Sequence, residues 1–457
     1  MFRAIIFFFF LTQCNASKVA FGSCSKVDEP QPLWRLVSSR KPDVFAWLGD
    51  NVYADVRKSD FYKSPNIFKG KGSETLRPGE RPRFVARTKE DHENMYIAQK
   101  SIPDYAHLAK TTKIIGTWDD HDCGINDADK YFSQKQERQD LHLDFLNVPK
   151  NDPRRTRKGV YTSQKVGRIK VILLDVRSNR EPWPWHPGAR EDFDRSDMLG
   201  AEQWSWLEKQ LTETDIENID LILVGSGFQV LPIIQIAPGK HETWYQFTES
   251  RNRLISTLSK AKVATMLLSG DVHFAELSEI VCTSTGAKKE RHLMEFTSSG
   301  LTHAWAGPYN WPKPMPAPVI FRGFWHLWKL VGIHPWRSDV YAGLNFGEIE
   351  LDGNENVILR AVGVDNKTKF ERSVRLDDLL GGESIGDRID CQPLNGIPSK
   401  NRVLISKVLF FGILFCIISG MFFFACKFFW VSLTIFFNAV RRMITKAPTT
   451  DEKQKIK

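Results

Sequence analysis

Six short apolar runs, each ending abruptly at polar residues, constrain the fold of this 457-residue chain more than any other feature. Near-continuous apolar, β-branched runs of this length are typical of strands that are covered on both faces of a sheet. The polar residues that follow the runs are rich in Cys, Asp and His. The runs occupy 18–21, 44–48, 114–118, 171–174, 221–224 and 265–268.

Helical patterns lie between the predicted strands. Trp204, Leu207 and Leu211 recur on one face of a predicted helix at 203–211, and a second helical pattern covers 251–262. Strands that alternate with helices predict an α/β fold. In such sheets the ligand site lies beyond the carboxyl ends of the strands, which is where the polar residues follow the runs. A helix cap or a turn explains each polar residue singly, but six strand ends together favour a site.

A hairpin signal closes the predicted domain. The apolar segments 345–351 and 357–362 flank a turn sequence at 352–355, which predicts two antiparallel strands. No linker within 17–407 is strong enough to divide that stretch, so we predict one domain there.

Phosphate-ester hydrolysis is the chemistry that these polar residues suit. It requires charge neutralisation and an activated water near neutral pH, and a site with two metal ions supplies both. Carboxylates suit hard cations, thiolate and phenolate suit a ferric-type ion, and imidazole suits transition metals. Asp50 and Tyr53 are three residues apart on one predicted turn, so both can reach one ion. The candidate metal ligands are Cys24, Asp50, Tyr53, Asp119, Asp120, Asn126, Asp271 and His273.

Four sequence blocks at the predicted strand ends are jointly specific. They are FGSCS at 21–25, LGDNVY at 48–53, TWDDHDCGIND at 117–127 and SGDVH at 269–273. Supporting blocks are LDVRSNR at 174–180, LGAEQWSWL at 199–207 and TSSGLT at 297–302. With these blocks the chain resembles the PhoD-type alkaline phosphatase family of metallophosphoesterases, from residue 19 to about residue 365. The resemblance implies an α/β fold of the metallophosphoesterase type, a β-sandwich flanked by helices.

The resemblance also implies the cofactors of the site. Iron and calcium are the implied metals, with other divalent metals as an alternative. Asp50 would bridge iron to calcium, and Asn126 and Asp271 would bind calcium as well. The residues implied to hold iron are Cys24, Asp50, Tyr53 and His273.

Two further residues receive implied catalytic roles. His121 would protonate the leaving group as general acid, or stabilise charge on the phosphoryl oxygens. Arg177 would clamp the phosphate bidentately, although a structural ion pair with Asp175 or another acid explains Arg177 equally well. Cys123 departs from the family pattern, which has an aromatic residue there. A packed thiol or a disulfide partner is favoured for Cys123 over an extra metal ligand.

The predicted function is therefore metal-dependent hydrolysis of phosphate monoesters or diesters by attack of a metal-activated hydroxide. The alternative is a non-catalytic receptor or assembly subunit of the secretory pathway that retains the same fold. Because every expected ligand type is present, we favour the enzyme.

The two ends of the chain predict a membrane topology. A cationic start and an apolar run indicate a signal peptide at 1–16. The stretch 408–426 has no charge and is long enough for a transmembrane helix, which extends to residue 440 if Lys427 snorkels. A basic cytosolic tail at 441–457 then predicts a single-pass type I protein, with a PhoD-like phosphatase domain at 17–407 in the lumen. Lysines at the extreme C-terminus resemble a retrieval signal for the endoplasmic reticulum.

Several other features bear on partners and on modification. Part of the formal net charge of +9 lies in that tail, and no basic block interleaved with aromatics occurs elsewhere, so we expect no nucleic-acid partner. Asn366 begins a glycosylation sequon. The aromatic, Pro-rich segment 305–336 is interpreted either as a gate for a phospholipid-like substrate or as an ordinary lid. At most two disulfides are available to Cys24, Cys123, Cys282 and Cys391.

Overall fold

The computed structural model of the chain divides into two compact units, Met1–Ile397 and Pro398–Lys457. The predicted signal peptide at 1–16 and the predicted tail at 441–457 lie outside the residues that the structure describes. The described residues are 17–57, 84–183, 195–213, 216–232, 242–284, 290–307, 337–353, 355–381, 389–393 and isolated positions between 401 and 438.

Strands and short helices alternate along the first unit, and we number them in chain order. Among the described residues the strands are β1 Ser17–Gly22, β2 Val44–Leu48, β3 Asp55–Arg57, β4 Phe84–Ala86, β5 Lys113–Thr117, β6 Thr162–Val166, β7 Ile169–Leu173, β8 Leu221–Ser226, β9 Ala264–Ser269, β10 Ala275–Ser284, β11 Arg291–Ser298, β12 Arg337–Tyr341, β13 Asn345–Leu351, β14 Asn356–Gly363, β15 Thr368–Arg375 and β16 Ile389–Pro393. The α-helices are α1 Leu33–Ser39, α2 Lys89–Ser101, α3 Pro103–Thr111, α4 Asp120–Cys123, α5 Lys135–Phe145, α6 Ala201–Thr212 and α7 Thr248–Leu258.

Two large sheets contain nearly all of these strands. The first has the order β15-β14-β13-β1-β2-β5, and the second has the order β12-β10-β11-β9-β8-β7-β6, with β16 beside β10. The six predicted strands are confirmed as parallel neighbours: β1, β2 and β5 in the first sheet, and β7, β8 and β9 in the second. The predicted hairpin is also confirmed, since β13 pairs antiparallel with β14.

The two sheets pack face to face around an apolar core. Phe21 of β1 meets Phe296 of β11 edge to face, with 5.0 Å between the ring centres. Val19, Leu223 and Met266 are fully buried in the same cluster. Each apolar side chain buried in this way stabilises the fold by about 1.5–3 kcal/mol. This core keeps the strand ends of both sheets at a constant separation.

Helices cover the outer face of each sheet. Trp204 of α6 and Leu254 of α7 pack on the second sheet, which confirms the two predicted helices. Trp34 of α1 and Tyr105 of α3 pack on the first sheet. The central strands are apolar throughout because both of their faces are covered. The architecture is therefore α/β, with two sheets between outer layers of helices.

The cysteines of the first unit that the structure describes form one disulfide and leave two free thiols. Cys282 of β10 forms a disulfide with Cys391 of β16. Cys24 and Cys123 are buried and free. Cys123 packs in an apolar cluster with Trp118, as the packed-thiol interpretation requires.

The structure describes the other predicted peripheral features only in part. No helix built from the described residues is long and apolar enough to cross a membrane. Asn366 is exposed in the turn between β14 and β15. Of the aromatic segment 305–336, the structure describes residues 305–307, and the rest lies outside the described residues. Most of the predicted span 408–426 lies outside the described residues, and its described positions, all helical, are Val408, Leu409, Gly412, Phe415, Ser419 and Gly420.

Candidate metal centre

The loops that follow β1, β2, β5 and β9 meet at the carboxyl ends of the two sheets. Gly49 after β2 has a φ of +89°, and a Cβ there would lie 2.3 Å from the Cβ of Asp119 after β5. A Cβ on Gly270 after β9 would lie 2.5 Å from the Oγ of Ser23 after β1. Only glycine permits such close approach of neighbouring turns. The four turns therefore form one packed unit.

Four of the predicted ligands have left-handed backbone conformations. The φ angles are 64° at Cys24, 51° at Asp50, 72° at Asp271 and 62° at His273. Residues with a Cβ rarely adopt such angles, and they persist only where the surrounding structure holds them, most often at functional sites. The candidate ligands with strained backbones thus lie in the turns that meet at the carboxyl ends of the strands.

Cys24, Asp50, Tyr53 and His273 form a compact donor set. The Sγ of Cys24 lies 3.4 Å from Asp50 Oδ2, and Tyr53 donates its hydroxyl to the same oxygen at 3.1 Å. One ligand atom each from Cys24, Asp50 and His273 lies within 4.8 Å of the others. The structure therefore brings together the four residues that the resemblance assigned to iron.

The chemistry of this donor set fits a cation. Asp50 Oδ1 is buried and has no hydrogen-bond partner among the described residues, and an unpaired buried carboxylate is costly. Burial raises the pKa values of Asp50, Cys24 and Tyr53 well above their usual ranges. A bound metal ion reverses this effect, because it stabilises the deprotonated carboxylate, thiolate and phenolate. Thiolate, phenolate, carboxylate and imidazole together are ligands for a transition metal.

Sequence reasoning missed a fourth loop of this cluster, the loop after β11. His303 Nε2 lies 3.0 Å from the Tyr53 hydroxyl and 3.1 Å from His273 Nε2. Ser299 Oγ lies 3.0 Å from Cys24 Sγ and accepts a hydrogen bond from the backbone N of His273 at 2.9 Å. The block at 297–302, which includes Ser299 and ends one residue before His303, was the available signal.

His121 lies at the opening of the site and is oriented by Asp55. Its Nδ1 is 2.6 Å from Asp55 Oδ1, and its ring lies 4.1 Å from the ring of Tyr53. Burial alone would lower the pKa of His121, but the carboxylates of Asp55, Asp120 and Asp50 together raise it well above its usual value. With Nδ1 engaged, Nε2 is the nitrogen available to a ligand. Asp55 was not among the predicted site residues.

Asp119 and Asp120 form the floor of the site. Asp119 Oδ2 is buried without a partner among the described residues. Burial raises the pKa of Asp120, but the positive charges of His121 and Arg177 outweigh it and set that pKa at about 2. Asp120 therefore remains ionised near neutral pH. It belongs to two groups of potential metal ligands, Asp50–Asp120–His121 and Asp119–Asp120–Glu242.

Asn126 and Asp271 lie at the margin of the cluster. The backbone N of Asn126 donates to Asp55 Oδ2 at 2.7 Å, and the carbonyl O of Asp271 accepts from Cys24 Sγ at 3.8 Å. Burial raises the pKa of the Asp271 carboxyl, and the negative charge of Asp119 adds to the effect. Among the described residues, the Asp271 carboxylate belongs to none of the groups of His, Cys, Asp and Glu side chains that could share one ion. The role of Asn126 and Asp271 as calcium ligands stays a prediction.

Asp122, the last acid of the DDHD sequence, connects the turns instead of facing the site. Its Oδ1 accepts from the backbone N atoms of Asn51 and Val52 at 2.9 and 3.1 Å. Its Oδ2 accepts from the backbone N of Asp119 at 3.1 Å. A carboxylate that satisfies three backbone N–H groups fixes the turn after β2 against the turn after β5.

Arg177 is buried in an ion-pair network and is not presented to a substrate. The guanidinium donates to Asp119 through Nε and to both carboxylate oxygens of Glu242 through Nη1 and Nη2. Its side chain has no exposed surface. Arg177 donates to Asp175 through its backbone N, at 2.9 Å, and not through its guanidinium. The geometry is that of the ion-pair alternative, with Asp119 and Glu242 as the acids, and it does not provide the implied phosphate clamp.

Comparisons with known proteins identify the family of the chain. A family model described as PhoD-like phosphatase matches residues 19–318, well over half of the chain. The chain belongs to the PhoD-like phosphatase family. As a member, it is a phosphoesterase, a metal-dependent hydrolase that acts on phosphate esters. No curated protein matches the sequence.

Solved structures add evidence on the fold. The structure of PhoD is similar, with a TM-score of 0.52 at 15% identity, over 79% of this chain and 68% of that chain. The purple acid phosphatase PPD1 from yellow lupin (Lupinus luteus) seeds matches with a TM-score of 0.45 at 13% identity, over 79% of this chain and 54% of that chain. At these identities the likeness to PhoD supports the fold, and the family match supports the enzyme class.

Proposed function

We propose that this phosphoesterase hydrolyses phosphate monoesters or diesters at a centre of iron and calcium, and that one membrane helix anchors it. The observation that carries the proposal is the junction of thiol, carboxylate, phenol and imidazole groups around Asp50, whose Oδ1 has no partner among the described residues. His121 lies beside this junction at the opening.

The donor atoms divide by hardness. Thiolate and phenolate suit ferric iron, so Cys24, Asp50, Tyr53 and His273 would hold iron. Oxygen donors suit calcium, so Asp50, Asn126 and Asp271 would hold calcium, with Asp120 as a nearby carboxylate. When bound, the two metals supply positive charge for the phosphoryl oxygens and a hydroxide nucleophile at neutral pH.

The chain's own residues complete the reaction. We assign to His121 the transfer of a proton from Nε2 to the leaving-group oxygen, because Asp55 holds Nδ1 and favours the protonated ring. Asp55 also binds the backbone N of Asn126, so it orients the acid and one predicted calcium ligand together. Arg177 keeps Asp119 in place from behind the site.

The activity is tested with the purified full-length protein. Metal content is measured by elemental analysis, and hydrolysis of a chromogenic monoester and diester is measured before and after chelation. We expect hydrolysis of at least one ester, its loss on chelation, and recovery when iron and calcium are restored. If neither ester is hydrolysed at any pH while both metals are verified as bound, the proposal is contradicted.

The anchored topology is proposed from the sequence. We infer a helix over 408–426, a lumenal phosphatase domain at 17–407 and residence in the endoplasmic reticulum. Exposure of Asn366 is compatible with a glycan at that position. In cells, a glycosidase-sensitive shift in apparent mass should disappear in Asn366→Gln and in Thr368→Ala. Full release of the protein from membranes by carbonate would contradict the anchor.

A further inference from the structure

Lys26 places a cation at the opening of the site. Its backbone is fixed: the N donates to Thr302 Oγ1 at 2.9 Å, and the carbonyl O accepts from Gln31 Nε2 at 3.2 Å. Its side chain is 36% exposed, and Nζ lies 5.4 Å from the centre of the Tyr53 ring. The ammonium group is therefore held beside a candidate metal ligand while it remains open to solvent.

The Tyr53 ring connects Lys26 to the inner residues of the site. The Tyr53 hydroxyl donates to Asp50 Oδ2 at 3.1 Å and lies 3.0 Å from His303 Nε2. Because Nζ of Lys26 lies beside the same ring, an anion bound next to Tyr53 would have the ammonium group within Coulombic reach.

The ammonium group is only weakly engaged by the protein. It forms an ion pair with Glu29 Oε1 at 3.5 Å, three residues along the same loop, and both side chains are partly exposed. Partly exposed pairs of this kind contribute about 0–1 kcal/mol, so a ligand can displace Glu29. Arg177, in contrast, has all three donor nitrogens occupied by protein acceptors.

We propose that Lys26 binds a non-bridging phosphoryl oxygen of the substrate and makes the enzyme prefer phosphate monoesters to diesters. This inference rests on the proposed function and specifies its substrate class. A monoester phosphoryl group carries about 1.5–2 negative charges near neutral pH. A diester carries a single charge, and its second ester group occupies one of the positions that a lysine would contact. The electrostatic contact with Lys26 is therefore stronger for the monoester than for the diester.

Phosphate binding tests the proposal without turnover. The full-length, metal-loaded protein is titrated with inorganic phosphate by calorimetry, and we expect the dissociation constant to rise about tenfold in Lys26→Gln, the loss of one charge-assisted contact. Lys26→Arg should stay within about threefold of wild type because the charge is kept. Glu29→Gln should bind phosphate about two- to threefold more tightly because it frees the ammonium group.

The matched control is Lys262→Gln. Lys262 is exposed and lies two residues before the first residue of β9, at the opposite end of the strand from the site. Lys262→Gln makes the same change in net charge. Metal content and thermal unfolding are measured for every variant. Unchanged phosphate binding in Lys26→Gln, or equal weakening in Lys262→Gln, overturns the proposal.

The ester ratio provides the second readout. We expect kcat/KM for the monoester to fall about tenfold in Lys26→Gln and kcat/KM for the diester to fall no more than about twofold. Equal losses on both esters overturn the assignment of specificity. If the wild type hydrolyses neither ester with metals bound, the proposed function fails, whereas the phosphate titration still decides whether Lys26 binds the phosphoryl group.

Discussion

The two sides of the site handle their charges in opposite ways. On the closed side, defined by Asp119, Arg177 and Glu242, the side chains are buried and pair with one another. On the open side, defined by Tyr53, His121 and His273, the side chains are partly exposed. The ring of Tyr53 packs on the ring of His121, and Tyr53 and His273 each lie within hydrogen-bonding distance of His303.

The difference distinguishes residues that hold the site together from residues that can bind a metal ion or a substrate. A buried arginine whose donors are all used by protein acceptors holds the floor of the site but has no atom left for a substrate. The open side retains atoms that a metal or a phosphoryl group can take. Charge alone therefore does not identify the reacting residues, since Arg177 and Lys26 are both cations and differ in whether protein acceptors already occupy them.

The largest effect is expected where the two sides meet, at Asp50. Asp50→Asn should lower kcat/KM by at least about a thousandfold, because one metal contact is worth several kcal/mol in the transition state. Iron content should fall in parallel, by elemental analysis. Asp365→Asn, an exposed acid in the turn after β14, is the control and should retain both metal and activity. Normal iron content with normal activity in Asp50→Asn would contradict the assigned ligand.

Breaking the closed side should cost stability. Arg177→Met leaves Asp119 and Glu242 buried without their cation, and we expect the free energy of unfolding of the metal-free protein to fall by about 3–5 kcal/mol. Urea denaturation measures this change. Arg168→Met, which removes a partly exposed pair with Asp220, should cost no more than about 1 kcal/mol. Equal losses in the two variants would mean that the closed side is not a buried scaffold.

His303 tests whether the open side depends on residues behind its ligands. His303→Leu removes the hydrogen bonds to Tyr53 and His273, and we expect metal affinity to fall about 10–100-fold. His303→Gln can still hydrogen-bond both neighbours, so it should recover part of that loss. Competition with a chelator measures the affinity. Identical metal affinities in His303→Leu, His303→Gln and the wild type would contradict a role for His303 in metal binding.

The smallest effect concerns a partly buried pair on β10 and β11, His292 with Glu279. A side-chain hydrogen bond with Glu279 raises the pKa of His292 above its usual value. The pair therefore stabilises the fold below the unfolded pKa of histidine, and this stability is lost as pH rises through the higher folded pKa. Unfolding free energies at pH 5.5 and pH 9 should differ more in wild type than in His292→Gln, by less than about 1 kcal/mol. A pH dependence that is identical in the two proteins would contradict the pair.

Local sequence patterns located the strands and the types of ligand. The apolar runs at 44–48 and 265–268 predicted covered strands because a central strand buries side chains on both faces. Asp50 and Tyr53 were paired correctly because three residues on one turn stay close in any fold. The prediction of the strands and the pairing of Asp50 with Tyr53 each depend only on residues that are close together in the sequence.

The tertiary structure alone decided which charges meet. Asp55 and His121 are 66 positions apart, Arg177 and Glu242 are 65 apart, and Tyr53 and His303 are 250 apart. The order of strands in the two sheets brings such segments together, and no local pattern encodes that order. The sequence by itself thus determined that polar residues, the candidate ligands, lie at the strand ends. Packing of the two sheets decided that Arg177 is enclosed as scaffold and that Lys26 faces the opening, because burial of a charge depends on distant neighbours.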